Sequence, residues 1–354
     1  MFSRQICPVM PQSPLLTISI PTYNRSRHLA CLLTILEREL RGIEDQVLVL
    51  ISDNASTDDT RSVVADFASR MLVLRSRRNE INEGPDANIS ACYLLPDTPY
   101  VWVLGDDDAP LNGTLRLLLE LLNRELPDMV YLPSLSTTDI LRDQGTHTVD
   151  KLTAVQLDRE DFASVLHVQM TFISGLVLRK GPRLDARVRE QLAVTQGTSL
   201  IQMAWVLETL KQGEKFLVCQ GHPIMATAAN SGGYAVFQVF LANHTRIVST
   251  LLADHPAMRR SILRKTSLCF LPGLVWHVRH GSIGNFKMQG RADLDLPEEL
   301  TRTGGFRWLV RPIWSLPDLP AKVAFFCSRV MTFTVRQYQR FVLFPRRRSI
   351  EVGA

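Results

Sequence analysis

Along residues 15–131, short apolar runs alternate with stretches whose apolar residues recur every three or four positions. Residues 15–20 form an uninterrupted, isoleucine-rich run ended by Pro21, the signature of a strand buried on both faces. A helix is expected next, capped by Asn24 or Ser26 and running to about residue 40. Residues 47–51 read as a second buried strand. Ser56-Thr57-Asp58-Asp59 then offers a hydroxyl cap followed by acids that favour a helix N-terminus, predicting a helix to about residue 70. Runs at 71–74, 100–104 and 129–132 add strands, and 87–95 and 111–124 add helices. Repeated strand–helix–strand units of this length predict an α/β fold, with a mainly parallel, Rossmann-like sheet flanked by helices.

Residues 133–170 carry a weaker pattern and are expected to form a long loop with short helices. Strand-like runs at 171–178 and 216–219 bracket a helical stretch at 199–210. From residue 234 the periodicity is helical, over 234–253, 257–280 and 319–343. Asn230-Ser231-Gly232-Gly233 breaks the pattern and marks a boundary. The expected organisation is a tail at 1–14, a main domain at 15–230 with halves 15–131 and 132–230, and a helical, basic extension at 231–354.

Composition narrows the classes. Of 354 residues, 45% are hydrophobic and 21% charged, which excludes disorder as the main state. The chain has no uncharged apolar run of about 18 residues, so no spanning helix is expected. Residues 1–13 lack a basic region followed by an apolar core, so no signal peptide is expected. The six cysteines are scattered without a CxxC pair and mostly lie in apolar runs. This predicts free, buried thiols rather than disulfides or a zinc site, and a reducing, cytoplasmic setting. The net charge of +5 hides an asymmetry: residues 255–354 hold 17 Lys/Arg against 6 Asp/Glu. A basic terminal region on an acidic body points to an anionic partner.

The polar clusters fall just past the strand ends. Thr22-Tyr23-Asn24 follows the first strand, Asp53-Asn54 the second, and Asp106-Asp107-Asp108 the fourth. In parallel sheets, ligands sit beyond the carboxyl ends of the strands. Three adjacent carboxylates stay ionised only with solvent or a cation, and a hard Mg²⁺ or Mn²⁺ bridges such groups to phosphates. A solvated acidic turn is the plainer reading of the triplet, but its place after a buried strand favours a metal–diphosphate site. Gly105 would let the backbone turn sharply there. Asp53 can accept hydrogen bonds from a base or ribose, or simply form an Asx turn that feeds the next helix. Tyr23 is a candidate for stacking on a base. Asn82, Gly84 and Asn88 form either a turn and helix start or part of the same cleft.

Taken in order, Ser19-Ile-Pro-Thr-Tyr-Asn-Arg25, Ile51-Ser-Asp-Asn-Ala-Ser-Thr-Asp-Asp-Thr60, Asn82-x-Gly84 with Asn88, and Tyr100-Val-Trp-Val-Leu-Gly-Asp-Asp-Asp108 resemble the family 2 glycosyltransferases of the GT-A fold. The resemblance covers about residues 15–125 and is most similar to the abequosyltransferase-like branch, which builds bacterial surface polysaccharides. It implies that Tyr23 and Asp53 hold the nucleoside and that Asp107 lies by the ribose and diphosphate. Asp108 would hold the metal, with Asp106 assisting as the first acid of an Asp-x-Asp reading. Pro21, Asn24, Asn82, Gly84 and Asn88 would complete the nucleotide-sugar set. The implied chemistry is metal-assisted, inverting transfer of a sugar from a nucleotide donor to a saccharide acceptor carried on a lipid. The metal neutralises the leaving diphosphate, and a carboxylate base deprotonates the acceptor.

The family's Glu-Asp pair, which supplies that base, is missing. The matching stretch is Gln196-Gly-Thr-Ser-Leu-Ile-Gln-Met-Ala-Trp205, which has no acid, although Phe172-Ile-Ser-Gly175 resembles the acceptor-side segment. Asp185, Glu190 and His222 are the remaining candidates for the base, each with an ordinary surface residue as its alternative. Two rival functions follow. A nucleotidyltransferase lacks support because no Gly-rich phosphate loop with a lysine lies near the first strand. A degenerate nucleotide-sugar-binding or scaffold protein draws support from the missing base. In the basic terminal region, aromatic residues interleave with arginines. This fits either a packed helical appendage or peripheral contact with an anionic membrane at its inner, cytoplasmic face. No nucleic-acid motif accompanies the charge.

Overall fold

The computed structural model describes residues 13–137, 139–143, 147–227, 235–281 and 296–353. The strands are β1 (Leu16–Thr22), β2 (Val47–Asp53), β3 (Leu74–Arg78), β4 (Tyr100–Val103), β5 (Asp108–Pro110), β6 (Met129–Tyr131), β7 (Ser134–Thr137), β8 (Leu152–Leu157), β9 (Leu176–Arg179), β10 (Phe216–Cys219), β11 (Ile224–Thr227) and β12 (Ser349–Val352). The helices of the first part are α1 (Ser26–Glu39), α2 (Thr60–Arg70), α3 (Pro85–Leu94), α4 (Thr114–Glu125), α5 (Ile140–Asp143), α6 (Arg159–Leu166), α7 (Pro182–Thr195) and α8 (Met203–Gln212). Those of the last part are α9 (His244–Leu251), α10 (Pro256–Lys265), α11 (Leu271–Arg279), α12 (Glu298–Thr301), α13 (Arg311–Ser315) and α14 (Asp318–Tyr338).

Nine strands form one sheet in the order β12-β8-β10-β6-β9-β4-β1-β2-β3. The block β4-β1-β2-β3 is parallel throughout, and β9 and β8 run against their neighbours. A second sheet, β5-β11-β7, sits beyond the end of β4. Alternate residues of each strand enter opposite cores, as a pleated strand requires. Ile18, Ile20 and Trp102 pack with α1 and α4 residues such as Leu29, Leu33 and Leu118. Val101 and Val103 pack with Tyr93, Trp205 and Val248 on the other face. α1 buries Leu29, Leu32, Leu33 and Leu36, the i, i+3, i+4, i+7 stripe its sequence shows. Tyr93 stacks on Trp205 at 4.7 Å between ring centroids, fixing α3 against α8.

The structure moves several expected elements. β3 begins where the apolar run 71–74 ends, because at the sheet edge only Met71 and Leu74 need burial and the arginines after them can face outward. The expected loop at 133–170 contains β7, β8 and α6. β8 finds its partners in β10 and β12, far away in sequence, which local pattern cannot reveal. Residues 167–171 and 173–175 are 3-10 turns joined at an extended Phe172, and the strand begins at Leu176. The described parts of the terminal region up to Arg346 are mostly helical, and the chain then returns as β12 on the edge of the main sheet, where Ile350 and Val352 are buried. The break at Asn230–Gly233 lies outside the described residues. Among the described residues, no helix is long and apolar enough to cross a membrane. Five cysteines are described and all are free; Cys92 and Cys219 are buried, whereas Cys327 is exposed.

Candidate active site

The ends of β4, β1 and β2 are neighbours in the sheet, so the three polar clusters meet. Thr22 and Asp53 are register partners, and Asn54 N–H donates to the Thr22 carbonyl at 3.0 Å. The two loops are stitched further. Asn24 adopts a left-handed φ of 52°, its N–H donates to Ser56 Oγ at 2.9 Å, and its Oδ1 accepts from Thr57 N at 2.7 Å. Asparagine tolerates that conformation better than most residues. Neither Asn24 nor Ser26 caps α1, since the side chain of one and the backbone of the other serve the β2 loop. Nor do Ser56 and Thr57 cap α2. The cap position, Asp59, makes no side-chain cap either; one residue earlier, Asp58 Oδ1 accepts from Thr60 Oγ1 at 2.6 Å and Thr60 N at 3.1 Å, while its Oδ2 accepts from Ser26 N at 2.9 Å. Burial opposes ionisation of Asp58, yet these bonds hold its carboxyl at about 2.

Asp53 is buried and wholly occupied by the protein. Its Oδ1 accepts from Ser56 N at 2.9 Å, the Asx turn foreseen, and its Oδ2 pairs with Arg78 Nε at 3.1 Å. Asn82, Gly84 and Asn88 are also spent on architecture. Asn54 is the hub: its Nδ2 donates to Asn82 Oδ1 and the Gly84 carbonyl, and its Oδ1 accepts from Asn79 Nδ2 and Glu83 N. Asn88 grips Ser52 through both its amide atoms. Pro21 is half-buried and Tyr23 is exposed just past the end of β1.

All three carboxylates of Asp106–Asp108 are buried, an expensive state that demands partners. Thr22 Oγ1 donates to Asp106 Oδ2 at 2.7 Å, and Arg25 Nη1 bridges Asp106 Oδ1 and Asp107 Oδ2 at 3.0 Å each. Asp108 opens β5 and is anchored from β11, where Thr227 N donates to its Oδ1 at 3.1 Å; Thr227 Oγ1 donates to the Asp107 carbonyl at 2.7 Å. Burial pushes the Asp106 carboxyl up to about 6, although Arg25 pulls it down. Burial and then the Asp107 charge push Asp108 up to about 7.

Gly105 does not supply a left-handed turn. Its role is close approach: a Cβ there would lie 3.1 Å from Asp107 Oδ1, 3.2 Å from Asp108 Oδ2 and 3.3 Å from Ser174 Oγ. Ser174 also accepts from Gly105 N at 2.9 Å, and its carbonyl accepts from Trp102 Nε1. The result is a small cradle of hard oxygens, the donor type that Mg²⁺ and Mn²⁺ select. Asp106 faces Thr22 and Arg25 instead. Among the described residues, no group of three or more His, Cys, Asp or Glu could hold a metal unaided. A cation here would need oxygens from a ligand, the usual situation for Mg²⁺ beside a diphosphate.

The three candidates for the base separate. Asp185 sits at the opposite ends of the strands from the acidic cluster. It is held by Lys180, whose N–H donates to the Pro99 carbonyl just before β4, and by Tyr93. Glu190 is exposed on α7 and paired with Arg187. His222 is exposed after β10, at the strand ends that carry the acidic cluster. Sequence reasoning passed over Arg25, Arg78, Ser174, Thr227 and Asp86. Asp86 is buried in the first turn of α3, where it accepts from the backbone of Gly197, Thr198 and Ser199, the stretch that lacks an acid of its own. Burial raises its pKa despite those bonds. Arg25 and Ser174 lay inside quoted motifs; the others had no local signal.

Residues 17–172 match the sequence model of glycosyl transferase family 2. Over that stretch the chain is similar to that family. The stretch contains every carboxylate of the cradle and both loops stitched to it. The abequosyltransferase RfbV of Salmonella typhimurium is 31% identical over 185 residues, 49% of this chain and 54% of that protein. A Campylobacter jejuni GalNAc(5)-diNAcBac-PP-undecaprenol beta-1,3-glucosyltransferase is 29% identical over 115 residues, 31% of this chain and 35% of the relative. The chain thus spans about half, or less, of the curated relatives it matches. Among solved structures, S. aureus TarS 1-349 in complex with UDP superposes with a TM-score of 0.55 at 15% identity over 92% of each chain. Its UDP-GlcNAc complex gives 0.54 over 91% of each. Likeness at this identity shows the fold, which is GT-A.

Proposed function

We propose that this chain is a glycosyltransferase that moves a sugar from a nucleotide-sugar donor to a saccharide acceptor on a lipid carrier. The product is an intermediate of a bacterial surface polysaccharide such as O-antigen. The observation that carries the reading is the buried acidic cluster, tied through Thr22 and Arg25 to the stitched β1 and β2 loops. Support comes from the family match, from the TarS complexes with UDP and UDP-GlcNAc, and from the undecaprenol-linked substrate in the Campylobacter relative's name.

In this reading Tyr23 and the Asp53–Arg78 pair border the nucleoside, and Arg25 and Asp107 border the diphosphate. Asp107 and Asp108, whose carboxylate oxygens converge beside Gly105, would hold Mg²⁺ or Mn²⁺, and hard oxygens suit that donor set. Bound there, the cation supplies positive charge against the departing diphosphate. The chain's own residues orient the donor and exclude water from it. Inversion at the anomeric carbon is the outcome expected of single displacement, with His222 the nearest surviving candidate for proton removal by its position at the strand ends. A lipid-linked acceptor confines the work to a membrane surface, on its cytoplasmic side.

The test is release of nucleoside diphosphate from UDP-, CDP-, GDP- and dTDP-sugars with Mn²⁺, with and without lipid extract as acceptor. One donor turning over, with loss of turnover in Asp108→Ala, is expected. Nucleotide binding without release under every condition would favour a scaffold role instead.

A further inference from the structure

α14 shows its faces in reverse. The side packed on the protein is Ala321, Ala324, Ser328 and Thr332, all small, with the half-buried Phe325 beside them stacked on Trp276. The bulky side chains Leu319, Val323, Phe326, Val330 and Phe333 point away and are 48–76% exposed. Their spacing of four, three, four and three residues lines them into one stripe along the helix, opposite the buried face. Lys322, Arg329 and Arg336, seven residues apart, border that stripe on one side with Arg340, and all four are exposed. Among the described residues none of the four forms an ion pair with a carboxylate. Between residues 318 and 348 a single acid, Asp318, stands against seven Lys/Arg, and it is taken by Arg279 at 2.6 Å.

We propose that α14 is a docking helix that lies flat on an anionic lipid bilayer. The Phe326–Phe333 stripe enters the boundary between headgroups and acyl chains, and the basic row meets lipid phosphates. The use of such docking rests on the reading above, in which the acceptor is lipid-linked; its physical basis does not. An exposed apolar face of this length asks for an apolar partner. The row of unpaired cations asks for negative charge beside it, and an anionic bilayer supplies both. A second copy of the chain would supply apolar surface but bring the same cations without acids to meet them. Spanning is excluded for α14, since no described helix is long and apolar enough.

Co-sedimentation of the full chain with vesicles of equal parts phosphatidylglycerol and phosphatidylcholine tests this, beside vesicles of phosphatidylcholine alone. Binding to the anionic vesicles is expected, weakening as salt rises. K322Q/R329Q/R336Q should lower partitioning by about a hundredfold, at about fivefold for each charge. Phe326→Ser with Phe333→Ser should lower it by about tenfold or more. These positions are exposed, so both variants should fold and bind nucleoside diphosphate as wild type does. That readout separates the two proposals: lost nucleotide binding in every protein would sink the transferase reading and leave docking standing. Equal binding to neutral vesicles would overturn the docking proposal. So would vesicle binding unchanged in both variants, or a lipid-free dimer in sedimentation velocity that both variants dissolve.

Discussion

Gly105 shows how much the site depends on single atoms. Three oxygens lie within 3.3 Å of where a Cβ would stand, so alanine must push at least one of them aside. Overpacking of this kind costs about 1–3 kcal/mol. Because the displaced groups are the carboxylates of Asp107 and Asp108, the cost should appear in ligand binding. Gly105→Ala should weaken metal-dependent nucleotide binding by about tenfold, measured by calorimetry, with a smaller change in melting temperature. The acidic triplet was legible in sequence because three adjacent acids after a buried strand are chemically conspicuous. Its partners were not. Thr22 and Arg25 reach it across more than eighty residues, and Thr227 across 119. Asn82, Gly84 and Asn88 were legible as a group, but an asparagine's spacing does not say whether its amide faces a ligand or its own backbone.

At the scale of elements, the alternation of buried runs and helical stripes over 15–131 prescribed the strands and helices that hold the site. Local pattern failed where the partner was remote. β8 and β12 are short, and their pairing joins residues nearly two hundred positions apart. The loops at the strand ends are held by the Asn54 side chain through four hydrogen bonds. At about 1 kcal/mol net for each bond, Asn54→Ala should destabilise the protein by about 2–4 kcal/mol in urea titration. It should also weaken nucleotide binding, because the loop it holds abuts the Asp53 wall. Removal of residues 349–354 would uncover the edge of β8 and the sites of Ile350 and Val352. A lower melting temperature and light scattering on heating are expected, as for any unprotected edge.

For the whole molecule, the main domain and the terminal helices meet over two histidines, His244 buried and His167 half-buried. His244 is fully buried with neither ring nitrogen hydrogen-bonded among the described residues. Burial pushes its pKa down to about 4. Burial, then His244, Lys265 and Arg336, push that of His167 to about 3. Both stay neutral when folded, whereas the unfolded chain takes up protons below about 6.5. Their contribution is therefore fully present above pH 6.5 and is lost as pH falls towards 4. Asp106 and Asp108, held up rather than down, contribute with the opposite sign. Comparison with His244→Leu isolates the histidine: the melting temperature of wild type relative to the variant should fall between pH 6.5 and 4. The central claim is a cation-assisted nucleoside diphosphate site on the acids after β4. Calorimetric titration with UDP, CDP, GDP and dTDP, with and without Mn²⁺, on wild type and Asp108→Ala tests it most directly. Binding of one nucleotide that needs Mn²⁺ and vanishes in the folded variant is the predicted result. No binding of any of the four by folded wild type, or Mn²⁺-dependent binding unchanged in Asp108→Ala, would contradict it.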